Sequence, residues 1–277
     1  MVRYYRIRYP GFVSKALTLS YDDGTYHDAR MMQILDKYGI KCTFNLNSGA
    51  FAEPEPDKPT RRQMNREECV ALYTGCGHEI AAHTVSHPDL TQLPAGTVAW
   101  EVIRDREELE NTVGTIIRGM AYPFGTTNDD VVEELRRSGI VYSRTVESHH
   151  GFELPQDWLR LGATCHHKDP MLDQLCDKFL AMNPVWKLQM FYLWGHSYEF
   201  EEAEHWELLE NFCKKMGGRQ DIWYATNIEI YDYLQAAHRL QASADGKRVY
   251  NPTAIPVYIR ANRVDYVLQP GTVTEIG

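Results

Sequence analysis

Short β-prone runs that alternate with amphipathic helices from residue 16 to residue 240 predict an α/β protein built on a parallel sheet, either open or closed into a barrel. Three neighbouring features establish the pattern. The run 16–21 is apolar and β-prone and stops at the turn-forming Asp22, Asp23 and Gly24. Met31, Ile34, Leu35 and Tyr38 then fall at helical spacing, with Gly39 where a helix C-terminus favours a left-handed residue. A second strand-like run, 42–46, follows at once.

The alternation continues down the chain. Helical spacing marks 66–73, a long amphipathic stretch at 96–113, then 129–138 (closed by Gly139), 172–181, 202–215 and 228–240. Strand-like runs mark 78–82, 116–122, 140–144, 189–194 and 222–225. After residue 242 the character changes. SADGKRVYNP is turn-rich, and two β-prone runs, 255–260 and 264–268, separated by Ala261, Asn262 and Arg263, predict a hairpin that closes one end of the main unit. The expected division is therefore a main domain over residues 1–241 and a C-terminal β-hairpin extension over 242–277.

Composition narrows the classes. Hydrophobic residues make up 43% and charged residues 24%, as in ordinary soluble globular proteins, and 277 residues can bury one substantial core. The formal net charge of −9 argues against a nucleic-acid partner, because phosphate backbones are bound by clustered Lys and Arg; the short pair Arg61 and Arg62 reads as a solvated loop. No stretch approaches the roughly 18 to 20 apolar residues of a membrane span, and MVRYYRIRYPG lacks the apolar run of a signal peptide. Cys42, Cys69, Cys76, Cys165, Cys176 and Cys213 include no CxxC pair and read as reduced thiols. Together these features predict a cytoplasmic protein with no membrane partner.

Active-site groups of parallel α/β proteins gather where strands end. That prior singles out Asp22 and Asp23, His83 and His87 after the strand at 78–82, the AYPFG turn at 121–125, and His196 after the strand at 189–194. Adjacent carboxylates repel, which is costly unless a cation or a proton-transfer role offsets it. His83 and His87, four residues apart, can face one point. With a carboxylate from another strand end they complete a two-His, one-carboxylate set that leaves positions open for water and substrate, suited to zinc and also to iron, cobalt or manganese.

Taken in order, these segments resemble the NodB-homology polysaccharide deacetylases, carbohydrate esterase family 4. LTLSYDDG looks like the first family motif, T-F-D-D-G; His83, Thr84 and His87 in HTVSH match the second, H-[ST]-x-x-H; AYPFG corresponds to the third, R-x-P-Y; and LWGH ending at His196 corresponds to the fifth, L-x-H. The resemblance implies a distorted (β/α) barrel and hydrolysis of an acetamido or acetate group. It implies Asp22 as general base, Asp23 as carboxylate ligand beside His83 and His87, the backbone N–H of Phe124 as oxyanion donor and His196 as the acid for the leaving group. A metal acidifies its water and a neighbouring carboxylate can take the proton, so the chemistry is coherent.

Three departures stand out. Ala121 replaces the arginine that opens the third motif, and Arg144, on the next strand run, is the expected positive partner for Asp22; Arg118 lies inside its strand and is expected to point away. The fourth motif, D-x-x-D-W, has only a partial echo in QDW at 156–158. Gly195 stands directly before His196, where the family often has a bulky apolar residue. Trp158, Trp194, Tyr198 and Phe200 serve either as sugar-stacking platforms or as core, and the pairs His149/His150 and His166/His167 read as surface or lid histidines in preference to a second metal site. The expected activity is removal of an acetyl group from a carbohydrate or related small molecule. The alternatives are hydrolysis of another small amide, by cyclic ureide or imide opening or deformylation, and an inactive carbohydrate-binding protein.

Overall fold

The computed structural model describes residues 5–51 and 61–276. The chain enters through a short strand, β1 (Tyr5–Arg8), and then alternates β2 (Lys15–Asp22), α1 (Asp28–Lys37), β3 (Cys42–Leu46), α2 (Arg66–Tyr73), β4 (Glu79–Ala82), α3 (Ala95–Val113), β5 (Gly119–Ala121), α4 (Asp129–Arg137) and β6 (Tyr142–Ser148). It continues through β7 (Leu161–Ala163), β8 (Cys165–His166), α5 (Leu172–Ala181), β9 (Gln189–His196), α6 (Tyr198–Glu202), α7 (Trp206–Met216), β10 (Ile222–Tyr224) and α8 (Asn227–His238). Among the described residues no helix is long and apolar enough to cross a membrane.

The main sheet runs β7-β6-β5-β4-β3-β2-β9-β8, and β10 adds to the first residues of β2. Every pairing in it is parallel. The two ends of this order are one run of chain: 161–163 pairs with β6, 165–166 pairs with β9, and Thr164 between them donates its N–H to Tyr192 O at 2.9 Å. The sheet therefore curls until its ends share a single kinked strand, the distorted barrel expected from the sequence.

β2 explains why the barrel interior is polar. All eight of its residues are buried, as for a strand covered on both faces. Leu17, Leu19 and Tyr21 pack outward into the core beneath the helices. Thr18, Ser20 and Asp22 alternate inward, where Thr18 donates to Asn227 Oδ1 at 2.8 Å and Asn45 Nδ2 donates to Ser20 at 2.8 Å. Asn227, in the first turn of α8, also donates to the Tyr192 hydroxyl at 2.7 Å and its N–H to Thr43 Oγ1 at 3.2 Å. α8 thus plugs the barrel floor.

Several sequence expectations shift. The strand expected at 140–144 runs on to Ser148, so Arg144 is mid-strand; it is nonetheless level with Ala121, because the two are register partners and β5 stops there. The helix expected at 202–215 begins later, as α7, and a separate short helix, α6, precedes it, with Glu204 at φ 49 in the break. β1, β7 and β8 were not anticipated. After α8 come β11 (Gln241–Ala242), β12 (Arg248–Tyr250), β13 (Val257–Ala261), β14 (Val264–Leu268) and β15 (Val273–Glu275). β13 and β14 form the expected hairpin, turning through Asn262 and Arg263 at φ 52 and 67. The hairpin is completed by β1, which pairs antiparallel with β13.

Glu79, at the start of β4, takes hydrogen bonds from Thr43 Oγ1 (2.8 Å), the Tyr142 hydroxyl (2.6 Å) and the Ile228 N–H of α8 (2.9 Å). Burial outweighs these donors and lifts its carboxyl to about 7. A carboxyl raised on folding contributes stability that is complete below the unfolded value, near 4.3, and is lost as pH rises through about 7. Urea denaturation of Glu79→Gln should therefore show a shallower loss of unfolding free energy between about pH 5 and 8 than the parent; parallel curves would contradict this account of Glu79.

Candidate metal and catalytic centre

At the mouth formed by the strand ends, β2 delivers two carboxylates with different surroundings. Asp22 ends the strand and is 2% exposed, whereas Asp23 turns out of it at φ 77. Nine non-glycine residues among those described have positive φ, and four of them, Asp23, Thr84, His87 and Phe124, sit in the loops of this mouth. Such concentration of backbone strain is typical of sites whose geometry is held by the surrounding structure.

His83 and His87 follow β4. Their Nε2 atoms lie 3.6 and 4.0 Å from Asp23 Oδ1, and one ligand atom from each of the three side chains falls within 4.8 Å of the others. The buried His83 ring meets the Ala121 carbonyl through Nδ1 at 2.8 Å, which keeps its proton there and leaves Nε2 as an acceptor. Burial also holds this imidazole below its ordinary pKa, hence neutral. The loop is clamped by α3. Asp105 accepts the His83 N–H at 3.0 Å and the Ser48 N–H at 2.8 Å, and Glu101 accepts the Ser86 N–H and hydroxyl at 3.0 and 2.6 Å.

Asp22 is held from two sides. Asn45, its register partner on β3, donates to Oδ1 at 2.8 Å. The Arg144 guanidinium donates to Oδ2 and forms an ion pair with it. Arg144 is itself fully buried, with its cation 4.4 Å from the centroid of the Trp194 ring. Burial opposes ionisation of Asp22, but Arg144, followed by His83 and His196, holds the carboxyl below its usual range. Arg118 turns away to Asp232 on α8.

His196 ends β9 with Nε2 4.0 Å from Asp22 Oδ2 and 3.9 Å from Asp23 Oδ2. Its Nδ1 faces Glu199 Oε2 at 3.3 Å, and its N–H donates to the same oxygen at 3.1 Å. Burial disfavours the imidazolium; Glu199 and the two aspartates outweigh it and raise the pKa. Glu199 is the centre of a charged cluster, with His166 Nε2 at 3.1 Å, His167 Nε2 at 3.4 Å and Lys168 Nζ at 2.8 Å. Despite burial, hydrogen bonds from His166, His196 and Lys168 keep its carboxyl far below the ordinary range.

His166, His196 and Glu199 also bring ligand atoms within 4.8 Å of one another. Hydrogen bonding assigns them differently. The Lys168 N–H donates to His166 Nδ1 at 3.1 Å, so the proton of a neutral His166 sits on Nε2, facing Glu199, and the Lys168 ammonium occupies the other carboxylate oxygen. Glu199 and its cationic partners thus form a charged support for His196, through the backbone N–H bond and the close approach to Nδ1.

The remaining expected residues divide between the mouth and the core. Phe124 is 61% exposed and sets its ring edge-on to His87, with centroids 4.7 Å apart. Tyr198 lies beside His196 at 5.1 Å, but Phe200 is buried core and Trp158 packs on Tyr231 of α8. His167 is not a surface histidine. It is 1% exposed, stacked between Tyr21 and Phe200, and burial lowers its pKa to about 3. This accounts for Gly195: a Cβ there would lie 2.1 Å from His167 Nδ1. His150 pairs with Asp169 at 2.7 Å. Asn45, Glu101, Asp105 and Glu199 were not anticipated as parts of the site. The signal for two of them was present, since Glu101 and Asp105 interrupt the apolar face of α3 at a spacing of one turn.

Comparison with known proteins bears on the family and the fold. Residues 11–143 match the family model described as polysaccharide deacetylase. That segment belongs to the polysaccharide deacetylase family. The chain is 24% identical over 174 residues to a chitooligosaccharide deacetylase of Sinorhizobium fredii, covering 62% of this chain and 68% of the relative. It is 26% identical over 117 residues to a chitin deacetylase of Pestalotiopsis, covering 42% and 36%, and 26% identical over 110 residues to the Bacillus subtilis protein YlxY, covering 40% and 31%. The chain thus spans only about a third of the length of two of these relatives. Among solved structures, a Mycobacterium smegmatis protein described as a candidate polysaccharide deacetylase shares the fold over 100% of this chain and 99% of its own, with TM-score 0.61 at 16% identity. A family 4 carbohydrate esterase from Streptomyces lividans does so over 77% and 93%, with TM-score 0.51 at 14% identity. At such identities the likeness is one of fold.

Gly195→Ala should destabilise the protein by about 1–3 kcal/mol, the usual cost of overpacking. Adding His167→Ala to it should cost less than the two single changes summed, because the second removes the clash created by the first. Thermal denaturation of the four proteins checks this; strict additivity would show that His167 does not dictate the glycine.

Proposed function

We propose that this centre is a metal-dependent hydrolase site that removes an acetyl group, N- or O-linked, from a carbohydrate or a related small molecule. The observation that carries the proposal is the meeting, at one mouth, of a three-ligand cluster with a separate, buried carboxylate paired to arginine. Asp23, His83 and His87 suit a divalent ion such as zinc, because their ligand atoms converge and the Ala121 carbonyl leaves His83 Nε2 unprotonated. When bound, the ion supplies a Lewis acid at the scissile carbonyl and acidifies water at that point.

The chain's own residues do the rest. Asp22, fixed by Asn45 and Arg144, accepts the proton of the attacking water. The Phe124 N–H, in the turn against His87, serves as donor to the developing oxyanion. His196 gives its proton to the departing amine or alkoxide, and Glu199 at Nδ1 keeps the ring oriented and charged. Relatives named as chitin and chitooligosaccharide deacetylases support a sugar as the acetyl carrier.

Elemental analysis should find about one divalent ion per chain in the parent and loss of it in His83→Ala. Equal metal content in both would remove His83 from the ligand set. Asp22→Asn should retain the ion and lose turnover by about 10²- to 10⁴-fold; an emptied site would instead make Asp22 a ligand. The metal-loaded enzyme should release acetate from N- or O-acetylated sugars, whereas turnover confined to the opening of cyclic amides would overturn the acetyl reading.

A further inference from the structure

The far end of the barrel carries a charge imbalance that the catalytic mouth does not explain. Arg6 on β1 lies directly opposite Arg260 on β13, and Arg8 follows two residues on along the same face. Like charges placed directly across a strand pair destabilise it. Arg260 is offset by Asp265, which takes hydrogen bonds at 2.6 and 2.7 Å. Arg8, only 3% exposed, donates to the Ile7 and Val185 carbonyls, and burial together with Arg260 and Arg6 lowers its pKa. Among the described residues, neither Arg6 nor Arg8 has a carboxylate within 4.0 Å. In a chain of net charge −9 this is a local concentration of unbalanced positive charge.

A cleft of about 1040 Å³ opens beside it, lined by Tyr5, Arg6, Trp186, Lys187, Gln189 and His238 among others. Trp186 is 75% exposed, and the Arg6 guanidinium carbon lies 3.3 Å from its ring centroid, so indole and cation form one platform. Glu153, the one acid lining the cleft among the described residues, accepts the Phe152 N–H at 3.1 Å. Gln189 in the cleft and His196 in the catalytic mouth are opposite ends of β9, separated by roughly 23 Å at about 3.3 Å per residue.

We propose that this cleft is a second glycan-binding site, distinct from the catalytic mouth, that takes an acidic saccharide segment: a sugar face lies on Trp186 while a carboxylate meets Arg6 and Lys187. An indole face suits the C–H surface of a sugar ring, and a carboxylate supplies the missing counter-charge with the geometry guanidinium prefers. The choice of a glycan rests on the carbohydrate reading above. The test therefore uses a ligand without acetyl groups, so that its outcome is independent of catalysis.

Calorimetric titration of the full chain with short galacturonate oligomers should show binding that weakens as salt is raised to about 0.5 M. It should weaken by at least about tenfold in Trp186→Ala and in Arg6→Gln. Cello-oligomers of equal length, which offer the stacking faces without the charge, should bind at least about tenfold more weakly than the galacturonates. Both variants should keep the parent's unfolding midpoint and its turnover of a short acetylated substrate. Absence of galacturonate binding, equal binding by Trp186→Ala, or equally tight binding of the neutral oligomers would each overturn the proposal.

Discussion

A carboxylate and a guanidinium sealed inside the barrel, Asp22 with Arg144, set the terms for the whole centre. Their side chains are 3% and 1% exposed, and two charges taken that far from water cost several kcal/mol apiece unless each is well satisfied. Asn45 serves the second oxygen of Asp22, and the Thr145 carbonyl and the Trp194 face serve Arg144. The neighbouring imidazoles answer to this pair. On one side His83 is held neutral, as a donor of lone pairs must be; on the other His196 is held towards its charged form by carboxylates at both ring nitrogens. One mouth thus brings a carboxylate kept ionised, an imidazole kept neutral and an imidazole drawn towards its charged form within a few ångströms, each shifted by burial and neighbours.

The family pattern places the arginine on the strand of the third motif, whereas here it comes from the next strand over. Because Ala121 and Arg144 are register partners, moving the residue sideways by one strand leaves its height in the barrel unchanged. The support of His196 departs in a similar way. A glutamate three residues beyond the histidine reaches back to within 3.3 Å of its ring, and the short helix α6 makes that reach possible.

Much of this was legible in the sequence, because the signals were local. Alternating β and α periodicity located most strands and helices of the main sheet, and the DDG and HTVSH segments contained within a few positions the side chains that the structure brings together. What was missed depended on partners distant in the chain. β1 is four residues long and becomes a strand only because β13, some 250 residues later, pairs with it. The run 161–166 lacks an apolar period because Thr164 hands it from one neighbour to another. Glu101 and Asp105 looked like solvated helix residues until the N–H groups of the His83 loop supplied their reason for burial. His167 looked exposed because histidine pairs in loops commonly are; Tyr21 and Phe200 bury it.

The shared strand at 161–166 also has a consequence for how the chain comes to be folded. β2 needs β9 along its whole length, and β9 lies more than 160 residues further on. A nascent chain that has emerged only through the segment matched by the family model, residues 11–143, stops one residue short of Arg144 and leaves both sheet edges open, with Asp22 lacking its counter-ion. Non-local pairing of this kind is slow and exposes unpaired strand edges meanwhile. Cooperative closure therefore waits on the kinked strand and β9 together, so that the barrel and its charged interior are completed in the same event.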